Sequence, residues 1–170
     1  MSALVAFLVA VNPPVIAASL PRSVPMRAIV IAAALAAALV LVAAGLSQPL
    51  LDLLDVSAPT FRVAAGVVLA VAGLRWVVVG ARQQDDEDPQ GWALVTRFVT
   101  PQLVAVAITF GVDDGVITTG LAGAVALAAA VVATFGRGRG LLWWSWSARL
   151  VGLAGLAVGL ALVVDGVKTV

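Results

Sequence analysis

FVTPQLVAVAITFGVDDGVITTGLAGAVALAAAVVATFG, residues 98–136, is 39 residues long and carries only two charges, Asp113 and Asp114. As one straight helix it would be roughly 58 Å long, nearly two membrane thicknesses. It therefore folds back near its middle and holds two spans.

The rest of the chain has the same character. Of 170 residues 62% are hydrophobic and 11% are charged, against about 25% charged in a soluble domain. The mean hydropathy is +1.12. A soluble domain and a disordered chain are both excluded, which leaves an integral membrane protein made of spans. There is no His, Cys or Tyr. Disulfides, thiolate nucleophiles, imidazole bases, haem ligation through His and typical zinc sites are therefore absent. No phosphate-binding GxxxxGK[ST] loop occurs. A net charge of +1 gives no surface for nucleic acid. The sequence reads as a non-enzyme with no cofactor, its partners being the lipid bilayer and a small solute or ion. A homo-oligomer or a membrane complex fits equally well.

Six spans follow from the apolar runs: residues 3–20, 28–51, 63–81, two within 98–136, and one from about 148 to 167. A span needs about 20 apolar residues. Residues 82–90 form the aqueous stretch, with Asp85, Asp86, Glu87 and Asp88 in a row, and residues 136–140 are a Gly/Arg turn. The basic loops hold Arg22, Arg27, Arg82, Arg97, Arg137, Arg139 and Arg149, and the opposite side holds Arg62 and Lys168. The positive-inside rule then puts both termini outside the cytoplasmic membrane. All five tryptophans fall near the Arg-rich ends, as interfacial anchors do. Residues 47–59 read as a short surface helix, with Leu50, Leu51, Leu53 and Leu54 toward lipid and Asp52 and Asp55 toward water.

Gly66, Gly73 and Gly80 in the third span match Gly152, Gly159 and Gly166 in the sixth. A seven-residue spacing puts each set on one helix stripe, where a bare backbone allows close approach. Val11-Asn12-Pro13-Pro14-Val15-Ile16 likewise reads against Val112-Asp113-Asp114-Gly115-Val116-Ile117, at offsets of 101 and 86 residues for the two matches. The fold expected is an all-α membrane protein: six transmembrane helices as two inverted three-helix repeats with broken first helices. The first repeat is residues 1–81, a cytoplasmic linker is 82–97, and the second repeat is 98–170.

The polar residues inside this frame are the candidate site. Asn12-Pro13-Pro14 can stop one helix and cap another, leaving the N–H groups of Val15 and Ile16 free at mid-span. A kinked, packed helix is the plain alternative. Asp113 and Asp114, with Gly115, are costly inside a membrane, about 2.5–3.5 kcal/mol each on insertion scales. They are the candidates for binding a metal or other cation or for sharing a proton, with Arg75 as a charge partner. Alternatively, a fourth span starting near Trp92 ends near Asp113, and the pair caps an outer turn.

Three stretches carry a family resemblance: Val11-Asn12-Pro13, the run SAPTFRVAAGVVLAVAGL at residues 57–74, and the break at residues 111–115 followed by Val116-Ile117-Thr118. On these the chain resembles the MarC family of six-span membrane proteins, within the LysE-type transporter superfamily. The resemblance implies a transporter. Val15 and Ala18 stand where that family shows Gly and Pro. Asp113-Asp114-Gly115 is closer to superfamily members that move metal cations. The function expected is export or transport of a small cation or zwitterion through a central site of Asn12, Pro13, Pro14, Asp113, Asp114 and Gly115. A non-transporting scaffold or lipid-binding subunit is the rival.

Overall fold

The computed structural model describes residues 2–80, 91–136 and 141–169. The acidic stretch at 82–90 and most of the Gly/Arg turn lie outside the described residues. Nine helices and no strand occur among them: α1 Ala3–Val11, α2 Pro13–Ser19, α3 Met26–Gly45, α4 Ser47–Leu54, α5 Ala58–Val79, α6 Trp92–Phe98, α7 Pro101–Asp113, α8 Val116–Thr134 and α9 Leu141–Thr169. The chain is an all-α membrane protein. Helices α3, α5, α8 and α9 are each long and apolar enough to cross a bilayer. The pair α6–α7, bent by 56°, makes a fifth if taken as one broken span, and α1–α2 together form a shorter apolar segment.

Two ends of the bundle are defined by side-chain contacts. At one end Arg62 meets Asp113 and Asp165, Gly111 lies against Ala44 and Ser47, and Asp114 and Thr118 share a surface groove with Ser2 and Leu4. At the other end Gly80 touches Ser145, Gly136 lies against Trp144, the Thr134 hydroxyl reaches the Met26 sulfur at 3.9 Å, and Ala28 adjoins Trp92. The second end carries the basic residues Arg22, Arg27 and Arg149.

Helices α5 and α9 make the most extensive contact among the described helices. They run antiparallel with almost nothing between their backbones. A Cβ placed on Gly66 would lie 2.6 Å from the Gly159 carbonyl oxygen, and one on Gly73 would lie 2.6 Å from that of Gly152. Both distances are shorter than any real carbon contact, so only glycine fits. This is the close approach that the seven-residue stripe required. In lipid such a contact works through dispersion between backbones, because apolar side chains gain nothing by leaving the bilayer.

Several boundaries differ from the sequence reading. The second span ends at Gly45, not near residue 51, because the chain turns at Leu46 and α4 starts at Ser47. Leu51 on α4 is buried rather than facing lipid, while Leu53 and Leu54 are exposed. Asp55 ends α4 in a left-handed conformation, which Asp tolerates better than most residues. Helix α9, expected as a span from about residue 148, begins at Leu141, since the Trp-rich run before Ala148 continues as helix. Helix α6 begins inside the stretch read as linker and packs on α3. The bent pair α6–α7 is interrupted at Val99–Thr100, with Pro101 opening α7. The Asp113-Asp114-Gly115 step is instead the turn between α7 and α8.

Candidate functional site

Asn12 sits between α1 and α2 and closes both. Its φ of 46° and ψ of 73° are left-handed. Its backbone N–H bonds the Leu8 carbonyl, ending α1. Its side-chain Oδ1 accepts from the Val15 N–H at 3.4 Å, and its carbonyl accepts from Val15 at 2.9 Å and Ile16 at 3.3 Å. The Val15 and Ile16 donors expected to be free are thus used by Asn12 itself. What remains free is Asn12 Nδ2, which is fully buried and has no partner. A buried donor left unmade costs about 1–3 kcal/mol. Pro13 and Pro14 form the first turn of α2, where their missing N–H groups cost nothing.

The break between α6 and α7 repeats this chemistry. The Thr100 hydroxyl accepts from the Leu103 N–H at 3.3 Å, and Pro101 is the first helical residue. The next residue, Gln102, is buried. Asn12 and Gln102 are the only buried side-chain amides among the described residues, and each stands at a break. Sequence reasoning missed Thr100, Pro101 and Gln102. The usable signal was a capping residue followed by Pro in an apolar run, 88 residues after Asn12-Pro13 and so close to the 86-residue glycine offset.

The structure does not bring Asn12 and Asp114 together. Asp114 shares its groove with Ser2, Ala3 and Leu4 at the start of α1. Asn12 lies nine residues further along, about 13 Å away by helical rise. Asp113 is occupied at this same end. The Arg62 guanidinium donates to Asp113 at 2.6 Å and to Asp165 at 2.8 Å, tying α5 to the ends of α7 and α9. This is the outer-turn alternative, with the span starting at Trp92 and ending at Asp113. Gly115 has a φ of 81° and lets the chain reverse into α8. Arg75 is exposed and makes no ion pair with a described residue. Among the described residues no group of three acidic side chains is placed to hold a metal ion.

Other buried polar groups are mostly satisfied by carbonyls about one turn back along the chain. The hydroxyls of Ser47, Thr109 and Thr134 bond carbonyls three or four residues back. Thr119 Oγ1 and Trp144 Nε1 are buried without partners. Neither lies at a break.

No family model, curated protein or solved structure matches this chain. The likeness to the MarC family therefore rests on the quoted residues alone.

Proposed function

We propose that the chain crosses the cytoplasmic membrane six times, as two inverted three-helix halves, and carries a small polar solute past the two breaks. The halves are α1/α2–α3–α5 and α6/α7–α8–α9, with the Arg-rich end cytoplasmic and both termini outside. The glycine contacts support the symmetry. Gly66 and Gly73 correspond to Gly152 and Gly159, and the contacts run crosswise, Gly66 to Gly159 and Gly73 to Gly152. A two-fold axis imposes this pattern: residue i meets the partner of j, and j meets the partner of i. Gly80 with Ser145 and Gly166 with Pro59 extend it in both directions. Opposed halves with interrupted first spans are the plan of many secondary transporters.

The observation that carries the transport reading is the unpartnered amide of Asn12 at a break inside the bundle. Irregular backbone at membrane depth is tolerated inside protein or beside a wet cavity. The free amide donates, so the group it would meet is an acceptor, such as the carboxylate of a zwitterion. Asp113 and Asp114, which argued for a cation, stand apart from it. Aqueous access tests the reading. The chain has no Cys, so Asn12→Cys and Gln102→Cys in liposomes should react with a water-soluble thiol reagent, and Ala36→Cys, in the packed face of α3, should not.

The closed centre favours the rival reading. Asn12, Ala10 and Ala107 are fully buried, and a solid core with its acidic pair at an outer turn suits a scaffold. Failure of both Asn12→Cys and Gln102→Cys to react from either side, in a chain that still folds, would establish the scaffold and end the transport proposal.

A further inference from the structure

Helix α6 is seven residues long and is followed by the 56° bend into α7. Because the chain turns away so soon, α6 leaves a wedge open along α3. The wedge is a groove of about 280 Å³ lined by Ala28, Ile31, Ala32, Leu35, Trp92 and Val95, with Leu94 and Gly91 beside them. Small side chains, Ala28 and Ala32, leave the space. Ile31 and Leu35 stay half exposed along its edge, and Trp92 is 78% exposed at the Arg-rich end. From Ala28 to Leu35 the groove follows α3 for roughly 10 Å.

Arg27 does not line the groove but precedes Ala28, the lining residue nearest the start of α3. Arg27 lies four residues before Ile31 and eight before Leu35, so the three share one stripe of α3. Arg27 is exposed, in the first turn of the helix, with no acidic residue in that turn. It makes no ion pair with a described residue. The basic head, an indole at the level of the membrane interface and an apolar channel beyond it occur in the order in which a phospholipid presents phosphate, glycerol ester and acyl chain.

We infer that the α3–α6 groove is a specific site for one anionic phospholipid, with its acyl chain along Ala28, Ala32 and Val95 and its phosphate at Arg27. The site is independent of solute transport and would serve a carrier or a scaffold alike. Charge complementarity selects the occupant. A zwitterionic lipid offers the same chain but brings a cation toward Arg27.

The test uses the full chain in detergent, titrated with phosphatidylglycerol or with phosphatidylcholine of the same acyl composition. Native mass spectrometry and thermal melting are the readouts. The expected result is a discrete one-lipid adduct with phosphatidylglycerol, about fivefold more occupied than with phosphatidylcholine, and a matching rise in melting temperature. Arg27→Gln should bring the two lipids level without lowering phosphatidylcholine binding. Ala28→Leu, which fills the groove at its mouth, should weaken both. If Ala28→Leu does not fold, Arg27→Gln decides. Equal occupancy of the two lipids on the wild-type chain would overturn the proposal, and so would a preference that survives Arg27→Gln. Glycerol phosphate giving the full stabilisation would also overturn it, because the groove would then contribute nothing.

Discussion

Asn12 joins three demands at one position: a left-handed backbone, a side-chain acceptor for the next helix, and a donor with nowhere to go. A left-handed conformation costs an ordinary L-residue roughly 1–2 kcal/mol, and Asn is among the residues that bear it best. Losing the cap costs about 0.5–2 kcal/mol, or a few tenths when Gly replaces the capping residue. These terms rank the substitutions. Asn12→Gly keeps the backbone and should stay within about 1 kcal/mol of wild type. Asn12→Val combines a branched side chain at positive φ with loss of the cap, and should lose roughly 2–4 kcal/mol. Thermal melting in detergent checks the order; equal melting temperatures for the two variants would mean that the backbone of Asn12 is not held as described. The Asn-Pro pair was legible as a helix stop and start. Its left-handed backbone was not, because a capping residue is usually extended. Arg62 reads in the sequence as a lone charge, but its bond to Asp113 spans 51 residues of sequence, and a pairing of that range leaves no local trace.

At the scale of elements, the two glycine sets were the clearest signal, since a repeated seven-residue stripe has few uses besides close helix contact. Gly73→Leu and Gly159→Leu should each be strongly destabilising. Overpacking a core typically costs 1–3 kcal/mol, and here the atoms met are main-chain atoms at 2.6 Å, which cannot rotate away. Gly45→Ala, at the end of α3 with nothing within 4 Å, is the control and should melt as wild type or slightly above. Wild-type melting of the Gly73→Leu and Gly159→Leu variants would show that α5 and α9 do not touch through these glycines. The broken second span was misplaced for a physical reason. A charge pair in an apolar run draws attention as the costliest feature, whereas Thr100-Pro101 is uncharged and blends into its surroundings. Thr is a weaker cap than Asn, so the step that actually bends the span carries the fainter mark.

For the whole molecule, the question is what holds the apolar helices in register, and at one end the fork of Arg62 does part of it. Its two bonds join α5 to α7 and α9. Exposed pairs contribute about 0.2–1 kcal/mol each and are screened by salt. Asp165 is mostly exposed and Asp113 less so, so the Asp113 bond is the stronger. Arg62→Gln should therefore lower stability by about 1 kcal/mol at low ionic strength. The wild-type melting temperature should fall with added salt while that of Arg62→Gln stays level. Parallel salt curves for the two proteins would mean that the fork contributes nothing.

The same two ends fix what the topology must be if the bundle spans a membrane. Ser2, Asp114 and Thr169 belong to the end that Arg62 marks, and Gly91 and Gly136 belong to the end with the basic residues and the exposed Trp92. Single cysteines at these five positions in intact cells should divide into two groups. Those at Ser2, Asp114 and Thr169 should react with an impermeant thiol reagent from outside, and those at Gly91 and Gly136 only after the membrane is opened. The positive-inside rule sets this direction; the contacts set the grouping. The two claims fail separately. Reversal of all five labels would keep the six passes and place the basic end outside. A split within the first group, with Ser2 and Thr169 on opposite sides, would leave an odd number of crossings and end the proposal of two inverted halves.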